Sequence, residues 1–102
     1  MRMRDGDLDR VAELLRTVAH PLRLRILSLL CAREECVGAM AARLGARPAA
    51  LSQALAILRG MGLVAVTRRG GQARYRLEEP GLRQLIPCIE RTLAAPSAAT
   101  HP

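Results

Sequence analysis

The feature that most constrains the fold is the segment of residues 45–66, in which a helix pattern leads directly into a strand pattern. Pro48 suits the first position of a helix, and Gly60 and Gly62 suit its end. The apolar run after Gly62 indicates a strand. Apolar residues recur along the predicted helix at three- and four-residue spacing and predict one buried face. They are Leu51, Ala54, Leu55, Ile57 and Leu58.

The opposite face of this predicted helix is small and polar, with an arginine at each end. It carries Arg47, Ala49, Ser52, Gln53, Ala56 and Arg59. Gln and Ser can hydrogen-bond to base edges in the major groove of DNA, and small side chains let the backbone come close. The same pattern also fits an ordinary surface helix with a polar side. The segment that follows favours the DNA-binding interpretation.

That segment, Thr67 to Leu77, is predicted to be a β-hairpin. Two runs that alternate polar and apolar residues flank Gly70 and Gly71, and adjacent glycines supply the positive φ angles that tight hairpins need. Four arginines flank the turn: Arg68, Arg69, Arg74 and Arg76. A groove-binding helix followed by a basic hairpin is the winged helix-turn-helix arrangement.

At this point the sequence resembles the bacterial ArsR/SmtB family of winged-helix repressors. Four segments match in order, at residues 14–30, 35–45, 50–64 and 68–77. The resemblance implies a mainly α fold of about five helices with a two-stranded wing. It also implies a homodimeric transcriptional repressor that binds double-stranded DNA and is released by an inducer.

The distribution of charge supports a DNA-binding surface independently of that resemblance. Residues 36–77 contain seven Arg and neither Asp nor Glu, whereas the rest of the chain holds nine Arg against nine acids. The whole excess of +7 therefore lies on the predicted helix-turn-helix and wing. This is the pattern expected of a surface that binds phosphates.

The 102 residues are predicted to form one winged helix-turn-helix and dimerisation domain at residues 1–95, with a disordered tail at 96–102. The other predicted helices run from an N-cap at Asp7 to about Ala19, from Pro21 to about Ala32, from Ala39 to Leu44, and from Glu79 or Pro80 to about Leu93. Pro87 is expected to kink or divide the last one. A signal peptide and a membrane-spanning run are both lacking, so we expect a cytoplasmic protein with no membrane partner.

In the family, the first and last helices form the dimer interface. Both predicted helices here have the apolar stripe that this requires. The resemblance therefore makes six residues interface candidates: Leu8, Val11, Leu15, Leu85, Ile89 and Leu93.

The family's inducer sites match this chain poorly. The positions that hold zinc-type metals in many members are occupied here by Glu79, Gly81, Thr92 and Ala95, so we reject that site. Arsenic sensors of the family place two or three cysteines near the start of the third helix. Only one of these has a counterpart in this chain, which is Cys36.

Persulfide-sensing relatives pair a cysteine of the second helix with one late in the last helix, where this chain has Ser28 and Ala94. Cys31 and Cys88 lie near those positions and suggest a displaced pair. The sensing candidates are thus Cys31, Cys36 and Cys88, acting through a thiolate-bound metal or metalloid or a reversible cysteine modification. The alternative is that these cysteines are small buried hydrophobic residues and that the inducer is different or absent.

Two other functional classes fit the sequence less well. A winged helix can serve as a protein-interaction module, but its net charge would then not be expected to concentrate on the helix and wing. The sequence shows no Gly-rich phosphate loop and no HExxH motif, so no enzyme is predicted.

Overall fold

The computed structural model describes residues 4–94, which form five helices and one small antiparallel sheet. In chain order the elements are α1 (Asp5–Val18), α2 (Pro21–Ala32), β1 (Glu35–Cys36), α3 (Val37–Leu44), α4 (Pro48–Gly60), β2 (Val64–Arg69), β3 (Gln72–Leu77) and α5 (Leu82–Ala94). The mainly α winged helix-turn-helix fold is confirmed. The predicted tail at 96–102 lies outside the described residues. No helix within residues 4–94 is long and apolar enough to cross a membrane.

The start of α1 differs from the prediction. Arg4, not Asp7, is the N-cap residue, and Asp7 occupies the third helical position. From there the Asp7 carboxylate accepts a hydrogen bond from the backbone N–H of Arg4 at 3.4 Å. The prediction of Asp7 as N-cap was wrong because an acidic side chain can reach back from the first turn as well as forward from the cap.

The junction between α1 and α2 follows the sequence closely. Pro21 is the first residue of α2, and His20 is its N-cap in an extended conformation. Nδ1 of His20 accepts a hydrogen bond from the backbone N–H of Leu22 at 3.2 Å. His20 therefore ends one helix and caps the next, as a junction residue.

The helix α3 begins at Val37, two residues before the predicted start. Cys36 is extended because it belongs to the two-residue strand β1, where it pairs with Arg74 of β3. The helix therefore starts immediately after the strand. At the other end Gly45 has φ +60°, the left-handed conformation that glycine accommodates without strain, and it ends α3 as predicted.

The sheet contains one more strand than predicted. Its order is β1-β3-β2, and every pairing is antiparallel. The hairpin register runs from Val64 opposite Leu77 to Arg69 opposite Gln72. The turn residues Gly70 and Gly71 have φ of +55° and +81°, so the predicted two-glycine hairpin is confirmed.

The helix α5 begins at Leu82 rather than at Glu79 or Pro80. The Glu79 carboxylate accepts a hydrogen bond from the backbone N–H of Gly81 at 3.1 Å, which forms a turn ahead of the helix. Pro87 lies inside a helix that continues to Ala94 and does not divide it. The proline still removes one backbone donor from the helix interior.

The core is aliphatic and is organised around α2. This helix packs against α1, α3, α4, α5 and the wing strand β3. The largest fully buried side chains are Ile26, Leu27, Leu30, Met40, Leu51, Leu55, Leu58 and Leu82. Because α2 contacts both α4 and α5, it fixes the position of α4 relative to α5.

Candidate nucleic-acid interface

The two sides of α4 separate as the sequence predicts. Leu51, Ala54, Leu55 and Leu58 are buried against the core, whereas Ile57 is half-buried. The candidate contact residues Arg47, Ala49, Ser52, Gln53 and Arg59 are all exposed. A flat row of small and polar side chains therefore faces solvent along the whole helix. Small and polar side chains of this kind suit a helix that lies in a major groove.

Arg47 occupies the N-cap position of α4 and makes no capping hydrogen bond through its side chain. The first backbone N–H groups of the helix are thus left without a side-chain acceptor from this residue. They and the Arg47 guanidinium lie at the positive end of the helix dipole, which is suited to a phosphate oxygen.

The wing arginines fall into two groups. Arg68 and Arg69 are exposed next to the hairpin turn. Arg74 is also exposed, and its Nη1 donates to the backbone carbonyl of Glu34 at 3.4 Å. Arg76 is held along the hairpin, because Nη1 donates to Thr67 Oγ1 at 2.5 Å and Nη2 lies 3.6 Å from the Glu78 carboxylate.

The arginines that are candidates for DNA contact take part in no salt bridge among residues 4–94. Within residues 4–94 the salt bridges are Arg43 with Glu35 and Arg76 with Glu78. Neither includes a candidate for DNA contact. The proposed phosphate-binding arginines therefore keep their full charge towards solvent, which strengthens attraction to DNA.

A cleft beside α4 adds residues that the sequence interpretation did not connect with DNA. It has a volume of about 250 Å³ and places His20 and Arg23 of the α1–α2 junction next to Ala50 and Gln53 of α4. Arg23 donates to the carbonyl of Thr17 at 3.0 Å and is thereby held at this junction. These groups are thirty residues from Gln53 in sequence, so only the packing of α2 against α4 reveals the neighbourhood.

The predicted dimer-interface residues lie mainly at the surface of the protomer. Val11 and Leu15 of α1 are 37% and 47% exposed and are the large exposed hydrophobic residues of the described chain. Leu8, Leu85 and Ile89 are half-buried, and the side chain of Leu93 lies outside the described part. An apolar stripe on α1 therefore has no cover within one protomer.

The cysteines are separated from one another. Cys31 is half-buried on α2, and its Sγ lies 3.7 Å from the Leu82 carbonyl at the start of α5. Cys88 is exposed six residues further along α5, which is about 9 Å along a helix axis. A disulfide requires Cα atoms within about 7 Å. No disulfide joins Cys31 and Cys88 in this conformation.

The Cys31 thiol is poorly suited to form a thiolate in this conformation. Burial raises its pKa above the ordinary value, the negative charge of Glu90 raises the pKa further, and Arg83 opposes both. Cys36 is half-buried at the start of α3. Within residues 4–94 no three His, Cys, Asp or Glu side chains are grouped in a way that suits a metal ion.

The fold and this surface define a winged helix-turn-helix DNA-binding protein. Residues 20–66 match the family model described as bacterial regulatory protein, arsR family. The chain belongs to the arsR family, whose members are DNA-binding transcriptional regulators. This agrees with the resemblance found in the sequence.

Known proteins of this type are similar along most of the chain. The biofilm growth-associated repressor of Agrobacterium fabrum is 41% identical over 86 residues, which cover 84% of this chain and 74% of the repressor. The structure of HlyU from Vibrio cholerae superimposes with a TM-score of 0.82 at 31% identity, covering 87% of this chain and 97% of HlyU.

The structure of a similar homodimeric domain has also been solved. The winged helix-turn-helix DNA-binding domain of Mb0332 from Mycobacterium bovis, described as a homodimer, has a TM-score of 0.79 at 29% identity and covers 98% of this chain and 94% of that domain.

Proposed function

We propose that this protein represses transcription by binding an inverted-repeat operator as a homodimer, with α4 of each protomer in the major groove and the wing along the backbone. The observation that carries the proposal is that the exposed polar face of α4 and the uncompensated arginines of the wing lie in the same acid-free part of the chain. The two recognition helices of such a dimer enter successive grooves about 34 Å apart. The domain at residues 1–95 supplies both DNA binding and dimerisation, and it acts in the cytoplasm without catalysis.

The contact residues divide by chemistry. Gln53 and Ser52 are the base-reading candidates because an amide or hydroxyl can donate and accept at a base edge. Ala49 gives the backbone room to approach the groove. The phosphate-binding candidates are Arg47, Arg59, Arg68, Arg69 and Arg74.

The dimer rests on the uncovered stripe of α1. Val11 and Leu15 expose apolar surface to water in the monomer, and such surface is typical of a protein–protein interface. A second copy of the chain covers this stripe together with Leu8, Leu85, Ile89 and Leu93. A short domain with an aliphatic core also gains stability from such an interface.

Release by a thiol-reactive or thiophilic inducer depends mainly on Cys36 and Cys88. Cys31 is shielded, its pKa is raised, and it lies beside Leu82 rather than Cys88. The test compares operator affinity of the reduced protein with its affinity after an oxidant, a persulfide donor, arsenite or zinc, with each cysteine changed to Ser in turn. If the variant without cysteines responds like the parent, the thiols are structural.

DNA binding is tested by titrating a fluorescent duplex at several salt concentrations. Each phosphate contact contributes about −0.9 to the slope of log affinity against log salt concentration. The five candidate arginines of each protomer make ten in a dimer and give a slope of at most about −9. Operator fragments are first selected from a random duplex pool. A weak slope and no preference for any selected sequence would instead favour the protein-interaction module.

A further inference from the structure

A groove between α2, α3 and α5 has no role in the DNA contacts described above. Its volume is about 510 Å³, and its apolar lining consists of Leu24, Leu29, Leu44, Ile86 and Ile89. Sites for small molecules in proteins have volumes of about 300–1,000 Å³ and are mostly apolar with a few polar groups. In size and lining this groove resembles such a site.

The polar groups of the groove include guanidinium donors that are free to bind a ligand. Ser28 donates its hydroxyl to the Glu90 carboxylate, so those two groups satisfy each other. Arg43 holds Glu35 through Nε at 3.3 Å, which leaves its two Nη groups available to another acceptor. Arg25 is exposed and forms no salt bridge among residues 4–94. Arg25 and the Nη groups of Arg43 therefore offer N–H donors to a ligand in the groove.

We propose that this groove is an effector site for a small carboxylate with an apolar body, such as a medium-chain fatty acid. Guanidinium groups bind carboxylates through paired hydrogen bonds, which favours Arg25 and Arg43 as partners of the head group. The aliphatic side chains bury the hydrocarbon chain. The effector role rests on the proposed operator binding, whereas ligand binding itself does not.

The position of Arg43 connects the groove to the DNA-binding elements. Arg43 lies on α3, the first helix of the helix-turn-helix, and its partner Glu35 is buried in β1, which pairs with the wing strand β3. A carboxylate that binds the Nη groups of Arg43 shares this guanidinium with Glu35. Occupancy therefore alters the contact that joins α3 to the base of the wing. By linkage, operator DNA changes ligand affinity by the same factor as the ligand changes operator affinity.

The experiment uses decanoate as the probe, below the concentration at which it forms micelles. Binding to the full-length dimer is followed by calorimetry and by NMR chemical-shift changes. Decanol supplies the same hydrocarbon chain without the charge. Arg25→Gln and Arg43→Gln remove the proposed head-group partners, and Arg33→Gln is the matched control because Arg33 is an exposed residue near the end of α2 and does not line the groove.

The expected result is saturable binding of decanoate that weakens about tenfold in each groove variant, the effect of losing one charge-assisted hydrogen bond. The Arg33 variant retains the parent affinity and decanol binds more weakly. Saturating decanoate changes operator affinity of the parent at least fivefold, a coupling in the usual range. If the ligand-free protein binds no operator, the proposed function fails while the binding titrations still report on the site.

Three results overturn the proposal. The first is the absence of saturable binding to the dimer. The second is equal binding by the parent and both arginine variants. The third is binding by the Leu15→Asp monomer but not by the dimer. That result would mean that a second copy of the chain covers the groove in the dimer. Decanoate binding with unchanged operator affinity overturns the effector role.

Discussion

Gln53 is the single side chain from which we expect most sequence discrimination. It is exposed in the middle of the polar face of α4, and its amide can both donate to and accept from a base edge. Gln53→Ala is expected to lower the ratio of operator to random-duplex affinity. The corresponding difference in binding free energy should fall by about 1–3 kcal/mol, the range for one paired base contact. Competition titrations with the two duplexes measure the ratio. An unchanged ratio would show that another residue reads the sequence.

Arg47 combines a weak helix cap with a well-placed charge. It gives no side-chain acceptor to the first turn of α4, whereas Ser in this position does. Arg47→Ser is therefore expected to stabilise the protein against denaturant by about 1 kcal/mol and to weaken binding to all duplexes. Urea unfolding and DNA titration measure the two effects. A variant that is more stable yet binds DNA as tightly as the parent would exclude a phosphate contact by Arg47.

The reactivity of Cys31 should depend on Glu90. Burial raises the Cys31 pKa, the Glu90 carboxylate disfavours the thiolate and raises the pKa further, and Arg83 lowers it. Glu90→Gln is expected to lower the pKa towards its ordinary value, so that alkylation of Cys31 becomes faster at mildly alkaline pH. The alkylation rate is followed against pH in a background with Cys36→Ser and Cys88→Ser. Arg83→Gln is the opposing control and is expected to slow the reaction; a shift in the same direction in both variants contradicts this electrostatic account.

At the scale of elements, the wing is expected to supply phosphate contacts without reading bases. Arg68 and Arg69 lie exposed beside the hairpin turn, whereas Arg76 is held by Thr67 and Glu78. Arg68→Ala is expected to weaken binding to all duplexes to a similar extent. It should also reduce the magnitude of the salt slope by about 0.9 per contact, or nearly two units for a dimer. Arg76→Gln should change the slope much less. Equal changes in the two variants would place Arg76 on the DNA as well.

At the scale of the whole molecule, α1 is expected to decide whether the chain dimerises. Leu15 is 47% exposed in the protomer, so Asp in its place is tolerated by an isolated chain. In a dimer the same change buries an unpaired charge at an apolar contact, which costs several kcal/mol. Leu15→Asp is expected to yield folded monomers with greatly reduced operator affinity, as followed by sedimentation and DNA titration. The control is Arg16→Asp, an exposed position on the same helix; an intact dimer in the Leu15 variant moves the interface elsewhere.

Much of the fold was predictable because its signals are local. Pro48 at the start of α4, Gly45 after α3, and the Gly70–Gly71 turn act through the backbone of a few neighbouring residues. Apolar spacing identified the buried side of α4 for the same reason. The charge distribution is also independent of folding, so the sequence indicated a DNA-binding surface before any contact was known.

The sequence by itself thus determined which segments become helices and the hairpin, and which of them carry the charge. Only the tertiary structure decided the short strand β1, whose pairing depends on residues about forty positions away. It also decided the raised pKa of Cys31 and the groove of Arg25 and Arg43. The physical reason is that caps, turns and periodicity act over a few bonds, whereas desolvation, ion pairing and cavity shape depend on which distant elements pack together.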